Sequence, residues 1–325
     1  VVVLLFSFNG AAVASQHDIK RSGGVRFQLQ TSKSPFLALE HVNLNVPTWT
    51  AELDKFWFGA LGCANDSRTD GVFHRTASSG GTMKGLVWAN IGLQQIHMPV
   101  GESEDTTQRV RGSVGLAFRD LPVLRKRLQD FGVHFLEDND AQMVEWFGEA
   151  LQLETPTGVR LRIHGSSKAF GPPEAVEAQI SLPGGHSLGT GLPYVEFFCP
   201  PGTAAAIARF YREVLGVPAE SADAACLVPI GTQKLLFRES DEELPEYDGH
   251  HVAIYVGDIS SGDAVDSFVG MYKSCHAAGM IYNNPRFPEL RYDTLDDALR
   301  LGEFRFLNII DPDTGRIVYT LEHEI

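Results

Sequence analysis

One pattern of residues occurs twice in this chain, and an internal repeat limits the possible folds more than any single motif does. The first copy runs from Leu39 to Pro99 and the second from Leu192 to Phe237. Each copy opens with a strand of alternating residues and continues with apolar residues at helical spacing, which stop at Gly62 or Gly216. Short strands with an Ile-Gly-X-Gln segment close each copy.

A more diverged stretch with the same order of elements follows each copy. The first begins at "VRGSVGLAFRDL" and the second at "GHHVAIYVGDI". Four units of the βαβββ type are therefore predicted, and the fold class is α+β. Because one such unit cannot cover its own sheet, we expect the units to pair, two consecutive units in each domain.

A stretch rich in Gly, Ser and Pro divides the chain near its middle and is typical of a linker. We predict a leader over residues 1–35, a first domain over 36–167, a linker over 168–191 and a second domain over 192–325. The length of 325 residues is consistent with two domains.

The leader resembles a targeting segment. An apolar run, "VVVLLFSF", precedes the small residues "AAVAS", as in a secretory signal, and the following stretch to Lys33 is basic and rich in Ser and Thr, as in a transit peptide. We therefore expect the secretory pathway or a plastid-type organelle, or the cytoplasm if the leader is no signal. The apolar run is too short to span a bilayer.

The composition excludes some partners. A net charge of −14 without a long basic run argues against nucleic acid as a partner, and the sequence leaves the oligomeric state open. The four cysteines lack the spacing of a metal site and are predicted to be small buried residues.

The segments "EHVNLNV", "FWFGALG", "QQIHMP", "FYREVLG" and "DPDTGRIVYTLE" resemble the vicinal oxygen chelate superfamily, which includes glyoxalase I, extradiol dioxygenases and fosfomycin- and bleomycin-resistance proteins. The resemblance covers nearly everything from residue 38 to 325. It implies paired βαβββ units whose cup holds a divalent metal (Zn, Ni, Fe or Mn), with ligands on the first and last strands of each unit. It is specific for fold and poor for reaction.

The family's ligand positions are only partly filled in this sequence. In the first domain they fall on His41, Gln95, Ser113 and Arg162, of which only His41 and Gln95 can ligate a metal. In the second domain they fall on Tyr194, Lys234, His251 and, counted four residues past a glycine, Tyr319. Neither domain reaches the usual three ligands, so the metal set is predicted to be incomplete.

Two departures from this alignment would alter the ligand set. A different strand register recruits Glu196 or Glu322, and His251 joins His41 and Gln95 only if the two domains exchange units.

Strand alternation predicts a polar and basic lining for the first cup, suited to a small organic anion. Its members are His41, Asn43, Gln95, His97, Ser113, Arg160 and Arg162. The alternatives are that the arginines pair with Asp or Glu on a solvated strand and that His41 only forms a hydrogen bond. The second cup, with Tyr194, Glu196, Lys234, His251 and Tyr319, is either a pocket or a filled core.

Three functions remain open from the sequence. The first is a protein that binds a small, anionic molecule in the first cup without a complete metal set. The second is a metal-dependent lyase, isomerase or dioxygenase, and the third is a structural or assembly protein. No catalytic residue is assigned.

Overall fold

The computed structural model describes residues 34–69, 85–101, 107–165, 186–257 and 264–325. Within these ranges the chain forms six α-helices and two β-sheets, which confirms the α+β class. The predicted leader, apart from its last two residues, and most of the predicted linker lie outside the described residues.

The first unit comprises β1 (Phe36–Asn43), α1 (Ala51–Asp54) continued by a π-helical segment (Lys55–Ala60), β2 (Ala64–Asn65), a 3₁₀ turn (Ser67–Thr69), β3 (Gly85–Ile91) and β4 (Gln94–Val100). The second comprises β5 (Gly112–Phe118), α2 (Leu121–Phe131), β6 (Leu136–Glu137), α3 (Ala141–Phe147), β7 (Ala150–Glu154) and β8 (Arg160–Gly165).

The third unit comprises β9 (Gly189–Cys199), α4 (Ala204–Glu213), β10 (Glu220–Ala222), β11 (Ala225–Ile230) and β12 (Gln233–Glu239). The fourth comprises β13 (His251–Val256), α5 (Ala264–Ala277), α6 (Leu295–Leu301), β14 (Arg305–Ile310) and β15 (Ile317–Glu324). In the described residues, no helix combines the length and the apolar composition needed to cross a bilayer.

The sheets join the units in an order that differs from the expected one. The seven-stranded sheet, β14-β15-β13-β1-β4-β3-β2, joins the first unit to the fourth, and the eight-stranded sheet, β10-β11-β12-β9-β5-β8-β7-β6, joins the second to the third. The prediction that consecutive units pair is therefore wrong. Strand pairing depends on which strand edges lie side by side in the folded chain. Here β1 pairs with β13, in antiparallel register, and not with β5. The predicted boundaries at 167 and 192 stay predictions.

Local signals fix the ends of the helices. Asp120 caps α2 by accepting a hydrogen bond from the backbone N–H of Val123, 2.9 Å away. The glycines that end the helical stretches of the two copies, Gly62 and Gly216, have φ angles of 65° and 69°, which a residue with a side chain rarely adopts.

The hydrophobic core lies between the two sheets, together with α4. Phe197 and Phe237 of the eight-stranded sheet contact Tyr319 of the seven-stranded sheet, with ring centroids 6.2 and 5.4 Å apart. Tyr211 of α4 packs beside Phe237. All four cysteines are buried and unpaired, as predicted. Strand alternation therefore turns the polar residues of both sheets to the side away from this core.

Candidate functional site

The polar side of the seven-stranded sheet, named here the histidine face, draws on the first and fourth units. Strand register places Gln95 beside His41, and both His97 and His251 beside Asn43. On β15, Glu322 lies beside His251 and Glu324 beside Ala253. The members of the face are His41, Asn43, Gln95, His97, His251, Arg305, Glu322 and Glu324.

Three groups of the kinds that ligate metal ions meet on this face: His41, His251 and Glu324. Their donor atoms all lie within 4.8 Å of one another. Oε2 of Glu324 is 3.5 Å from Nε2 of His251 and 4.0 Å from Nε2 of His41. The two histidines are only 5% and 3% exposed, whereas the Glu324 side chain is 20% exposed. The group is thus nearly enclosed and opens on the side of the carboxylate.

A bulge in β1 brings a second carboxylate to His41. Between Leu39 and His41 the register shifts, so that Glu40 is the extra residue and turns toward its neighbour's ring. Nδ1 of His41 donates a hydrogen bond to the Glu40 carboxylate. A proton on Nδ1 satisfies this contact, and Nε2 is the ring nitrogen that faces Glu324.

Burial and charge move the pKa values of these groups in different directions. Burial opposes the charged form of His41, but the attraction of Glu40 and then Glu324 outweighs it and raises the pKa of His41. Burial lowers the pKa of His251, an effect that Glu324 partly offsets. Burial also opposes ionisation of Glu324, yet Arg305 and the two histidines hold the pKa of that carboxyl well below its usual range.

His97 extends the cluster toward the rim of the sheet. Its ring stacks on His41 with centroids 3.6 Å apart and on Trp88 with centroids 4.3 Å apart. Burial, followed by repulsion from His41 and His251, lowers the pKa of His97 well below its ordinary value. The neutral ring forms a hydrogen bond with Oε1 of Gln95 at 2.9 Å, so Gln95 is turned toward His97 and Asp66.

The residues present fit a divalent ion. Metal–nitrogen bonds of about 2.0–2.1 Å place two donors of a tetrahedral ion about 3.4 Å apart. The Glu324–His251 separation of 3.5 Å already matches this value, and the Glu324–His41 separation of 4.0 Å requires a small movement of one side chain. Among the described residues, Nδ1 of His251 is buried and has no hydrogen-bond partner. Glu40 supplies the outer carboxylate that metal-ligating histidines usually have.

The corresponding side of the eight-stranded sheet, named here the arginine face, is closed by ion pairs. Its members are Ser113, Arg160, Arg162, His164, Tyr194, Glu196, Lys234 and Arg238. Arg162 contacts Glu196 at 2.9 Å, Asp138 at 3.1 Å and Asp140 at 3.2 Å. Arg238 also contacts Asp140, at 2.7 Å, and Glu196, at 2.8 Å. Every nitrogen of the Arg162 guanidinium thus already faces a carboxylate.

Strand register shows which residues of the two faces correspond. His251 pairs with Asn43 as Ser113 pairs with Glu196. His41 pairs with Ala253 as Tyr194 pairs with Gly115, and the Tyr194 ring lies 2.6 Å from where a Cβ on Gly115 would be. Glu324 lies beside Ala253 as Arg162 lies beside Gly115.

The positions of His41, His251 and Glu324 are therefore occupied on the arginine face by Tyr194, Ser113 and Arg162. A cavity of about 500 Å³ opens beside this second face, where Ser113, Arg160, Arg162, Glu196 and Phe198 contribute to its lining.

The seven residues predicted to line the first cup are divided between the two faces. His41, Asn43, Gln95 and His97 lie on the histidine face, whereas Ser113, Arg160 and Arg162 lie on the arginine face. The prediction that all seven residues line one cup is therefore wrong, because the first and second units belong to different sheets. Gln95 remains a predicted ligand whose amide nitrogen donates to Asp66.

The residues of the predicted second cup are divided in the same way. Tyr194, Glu196 and Lys234 lie on the eight-stranded sheet, and His251 lies on the histidine face. Tyr319 lies on the opposite side of its sheet from Glu322 and Glu324, and packs in the core against Phe237.

Sequence reasoning missed Glu324 and Arg305. The position four residues past Gly315 is Tyr319, and it would match Arg162 only if the β14–β15 hairpin were as short as the β7–β8 hairpin at Gly158. The β14–β15 pair instead has two register shifts, which lengthen it. The alternation in "YTLEHE" was a usable signal, since it puts Glu322 and Glu324 on one face.

Comparison with solved structures supports the fold, whereas comparison with protein families and curated proteins finds no match. No protein-family model matches the chain, and no curated protein matches it. A structure of a proposed dioxygenase from Bacillus subtilis is similar with a TM-score of 0.52 and 12% identity, covering 90% of this chain and 86% of that one. Glyoxalase I from Zea mays is similar with a TM-score of 0.51 and 12% identity, covering 88% and 91%.

Identities this low concern the fold alone. The chain therefore has the α+β fold of glyoxalase- and dioxygenase-type vicinal oxygen chelate proteins over about nine-tenths of its length, as the sequence resemblance predicted.

Proposed function

We propose that this protein is a metal-dependent enzyme whose ion is held by His41, His251 and Glu324. The observation that carries the proposal is the approach of these three donor atoms to within 4.8 Å on a buried face. Two histidines and one carboxylate are the ligand set typical of non-heme Fe(II) oxygenases. When bound, such an ion would polarise two neighbouring oxygen atoms of a small organic substrate.

The side chains around the three ligands have separate tasks in this proposal. Glu40 keeps the proton on Nδ1 of His41, so that Nε2 is free to ligate. His97 is a neutral ring that stacks on His41 and forms a hydrogen bond with Gln95, so it holds the ring of His41 in place. Trp88 stacks on the opposite side of His97 from His41, so the three rings form one column that limits the movement of His41.

Metal titration tests the proposal. Protein prepared without metal is titrated anaerobically with Fe²⁺ and with Co²⁺ in a calorimeter, and we expect one ion per chain. His41→Ala is expected to lose this binding. His164→Gln, which alters a buried histidine on the arginine face, is expected to keep it. Binding that is equal in wild type and His41→Ala would refute the site.

Oxygen uptake tests the reaction class. The Fe²⁺-loaded protein is incubated with catechols and with 1,2-dicarbonyl compounds, both of which offer neighbouring oxygens. Consumption of O₂ with a catechol supports a dioxygenase. Conversion of a dicarbonyl compound without O₂ consumption supports a lyase or isomerase on the same ion.

A second candidate function rests on the cavity of about 500 Å³ beside the arginine face. This cavity would hold a small organic molecule without a metal, through Arg160 and the Phe198 ring at its border. The guanidinium of Arg160 lies 5.4 Å from the centre of that ring. Isothermal titration with small aromatic carboxylates, wild type against Arg160→Met, tests this candidate; equal heats from both proteins contradict it.

A further inference from the structure

Arg305 lies at the centre of the carboxylates of the histidine face. It is 5% exposed and belongs to β14, where it pairs with Glu324 across the sheet. Nη1 donates to Oε1 of Glu322 at 2.7 Å, Nη2 contacts Oε2 of Glu324 at 2.6 Å, and Nε lies 3.6 Å from Oε1 of Glu303. One guanidinium therefore serves three acidic side chains.

The contact with Glu324 involves the oxygen on which the metal site depends. Oε2 of Glu324 is the same atom that faces Nε2 of His41 and Nε2 of His251. A carboxylate oxygen can accept from two directions, but a cation bound there has to share it with the guanidinium. Arg305 and a divalent ion would carry like charges on either side of one oxygen atom, so each weakens the binding of the other.

The acidic side chains around Arg305 account for the presence of its guanidinium group. Glu303, Glu322 and Glu324 carry three carboxyl groups within reach of this single arginine. Burial, followed by repulsion from Glu324, raises the pKa of Glu303, which also accepts a hydrogen bond from Tyr292. Without Arg305, Glu322 and Glu324 would lose the guanidinium that contacts both of them.

We propose that Arg305 is a positioning residue that acts as an internal counter-cation: it holds Glu324 in place when no metal is bound and lowers the affinity of the site for divalent ions. The inference rests on the proposed metal site. We therefore expect the protein to bind its ion less tightly than the three ligands would without Arg305. We also expect the ion to contribute more to stability once the guanidinium is removed.

The test compares wild type with Arg305→Gln by Co²⁺ titration, followed by calorimetry and by the visible absorption of Co²⁺, together with thermal unfolding with and without the ion. We expect Arg305→Gln to bind Co²⁺ at least about tenfold more tightly, because a repelling charge has been removed. Its melting temperature without metal should fall, and Co²⁺ should raise it by more than in wild type. A residue that only supports the fold would, when lost, weaken metal binding.

Two further variants complete the design. Arg162→Gln removes an equally networked arginine from the other face and should lose stability without any gain in Co²⁺ affinity. Arg305→Lys keeps the charge but cannot bridge Glu322 and Glu324 simultaneously, and its affinity should lie between those of wild type and Arg305→Gln. If Arg305→Gln does not fold, a gain in Arg305→Lys supports the inference and no gain overturns it.

The outcomes separate this inference from the proposed function. Binding by wild type with equal or weaker binding by both Arg305 variants overturns the inference and leaves the metal site standing. No binding by any of the proteins overturns both. Binding by an Arg305 variant but not by wild type supports the counter-cation role and overturns the proposed metal-dependent activity.

Discussion

The two polar faces have the same strand register and opposite chemistry. At matched positions, one carries His41, His251 and Glu324, and the other carries Tyr194, Ser113 and Arg162. On the first face, donor atoms point at a common centre. On the second face, Arg162 occupies the position of Glu324. It forms ion pairs with neighbouring carboxylates, so its charge is neutralised within the protein. The strand register therefore fixes where side chains converge, and the identity of those side chains determines whether the face can bind a ligand.

The largest expected difference between the faces concerns stability. Arg162→Gln leaves Asp138 buried without its guanidinium partner and Glu196 with Arg238 alone, which we expect to lower the free energy of unfolding by about 3–5 kcal/mol. Urea denaturation without added metal measures this. A loss below about 1 kcal/mol, the range of exposed ion pairs, would mean that the network is not a structural one.

Loss of a ligand should affect binding on the histidine face alone. Glu324→Gln keeps the shape of the side chain but not its charge, and it should weaken Co²⁺ binding at least about a hundredfold, since even outer partners of a ligand contribute 10–100-fold. The control is Glu322→Gln, two residues along the same strand, which should weaken binding less than about tenfold. Equal losses in the two variants would remove Glu324 from the ligand set.

The pH dependence of stability tests the arginine face through His164. Burial, and to a smaller extent Arg162, lower the pKa of His164 to about 4. The unfolded chain, with a histidine pKa near 6.5, binds the extra proton first, so this group costs stability as the pH falls from about 6.5 to 4, and the cost is absent above that window.

We expect His164→Gln to remove a decline of about 3 kcal/mol from the unfolding free energy between those pH values. Tyr194 can still contact the new amide, since its hydroxyl lies 2.8 Å from the imidazole nitrogen. Chemical denaturation at pH 7, 5.5 and 4 provides the comparison. Parallel curves for wild type and variant would show that His164 takes up its proton in the folded protein.

The smallest expected effect concerns the orientation of His41. Glu40→Gln weakens the hydrogen bond that fixes the ring, and we expect Co²⁺ affinity to fall about tenfold with little change in stability. Glu52→Gln, an exposed carboxylate on α1, is the control and should bind like wild type. An unchanged affinity in Glu40→Gln would indicate that the neighbouring strands alone position His41.

The sequence was sufficient for the four units, because periodicity and the glycines that end helices are local signals. Both Gly62 and Gly216 have the positive φ that the pattern predicted. It was insufficient for the partner of each unit, since nothing within β1 distinguishes β13 from β5 as its neighbour. The proposed ligand set depends on that choice: with consecutive pairing His251 is remote from His41, whereas in the structure their ring centroids are 5.6 Å apart.

The pairing of the first unit with the fourth also has a consequence for how the molecule assembles. The eight-stranded sheet is made of neighbours in the chain, whereas the histidine face requires residue 41 to find residue 324. Contacts between such distant segments form slowly, since a long loop must close first. We therefore expect the middle of the polypeptide to fold early and the histidine face to be completed last, when both outer quarters close over a scaffold that already exists.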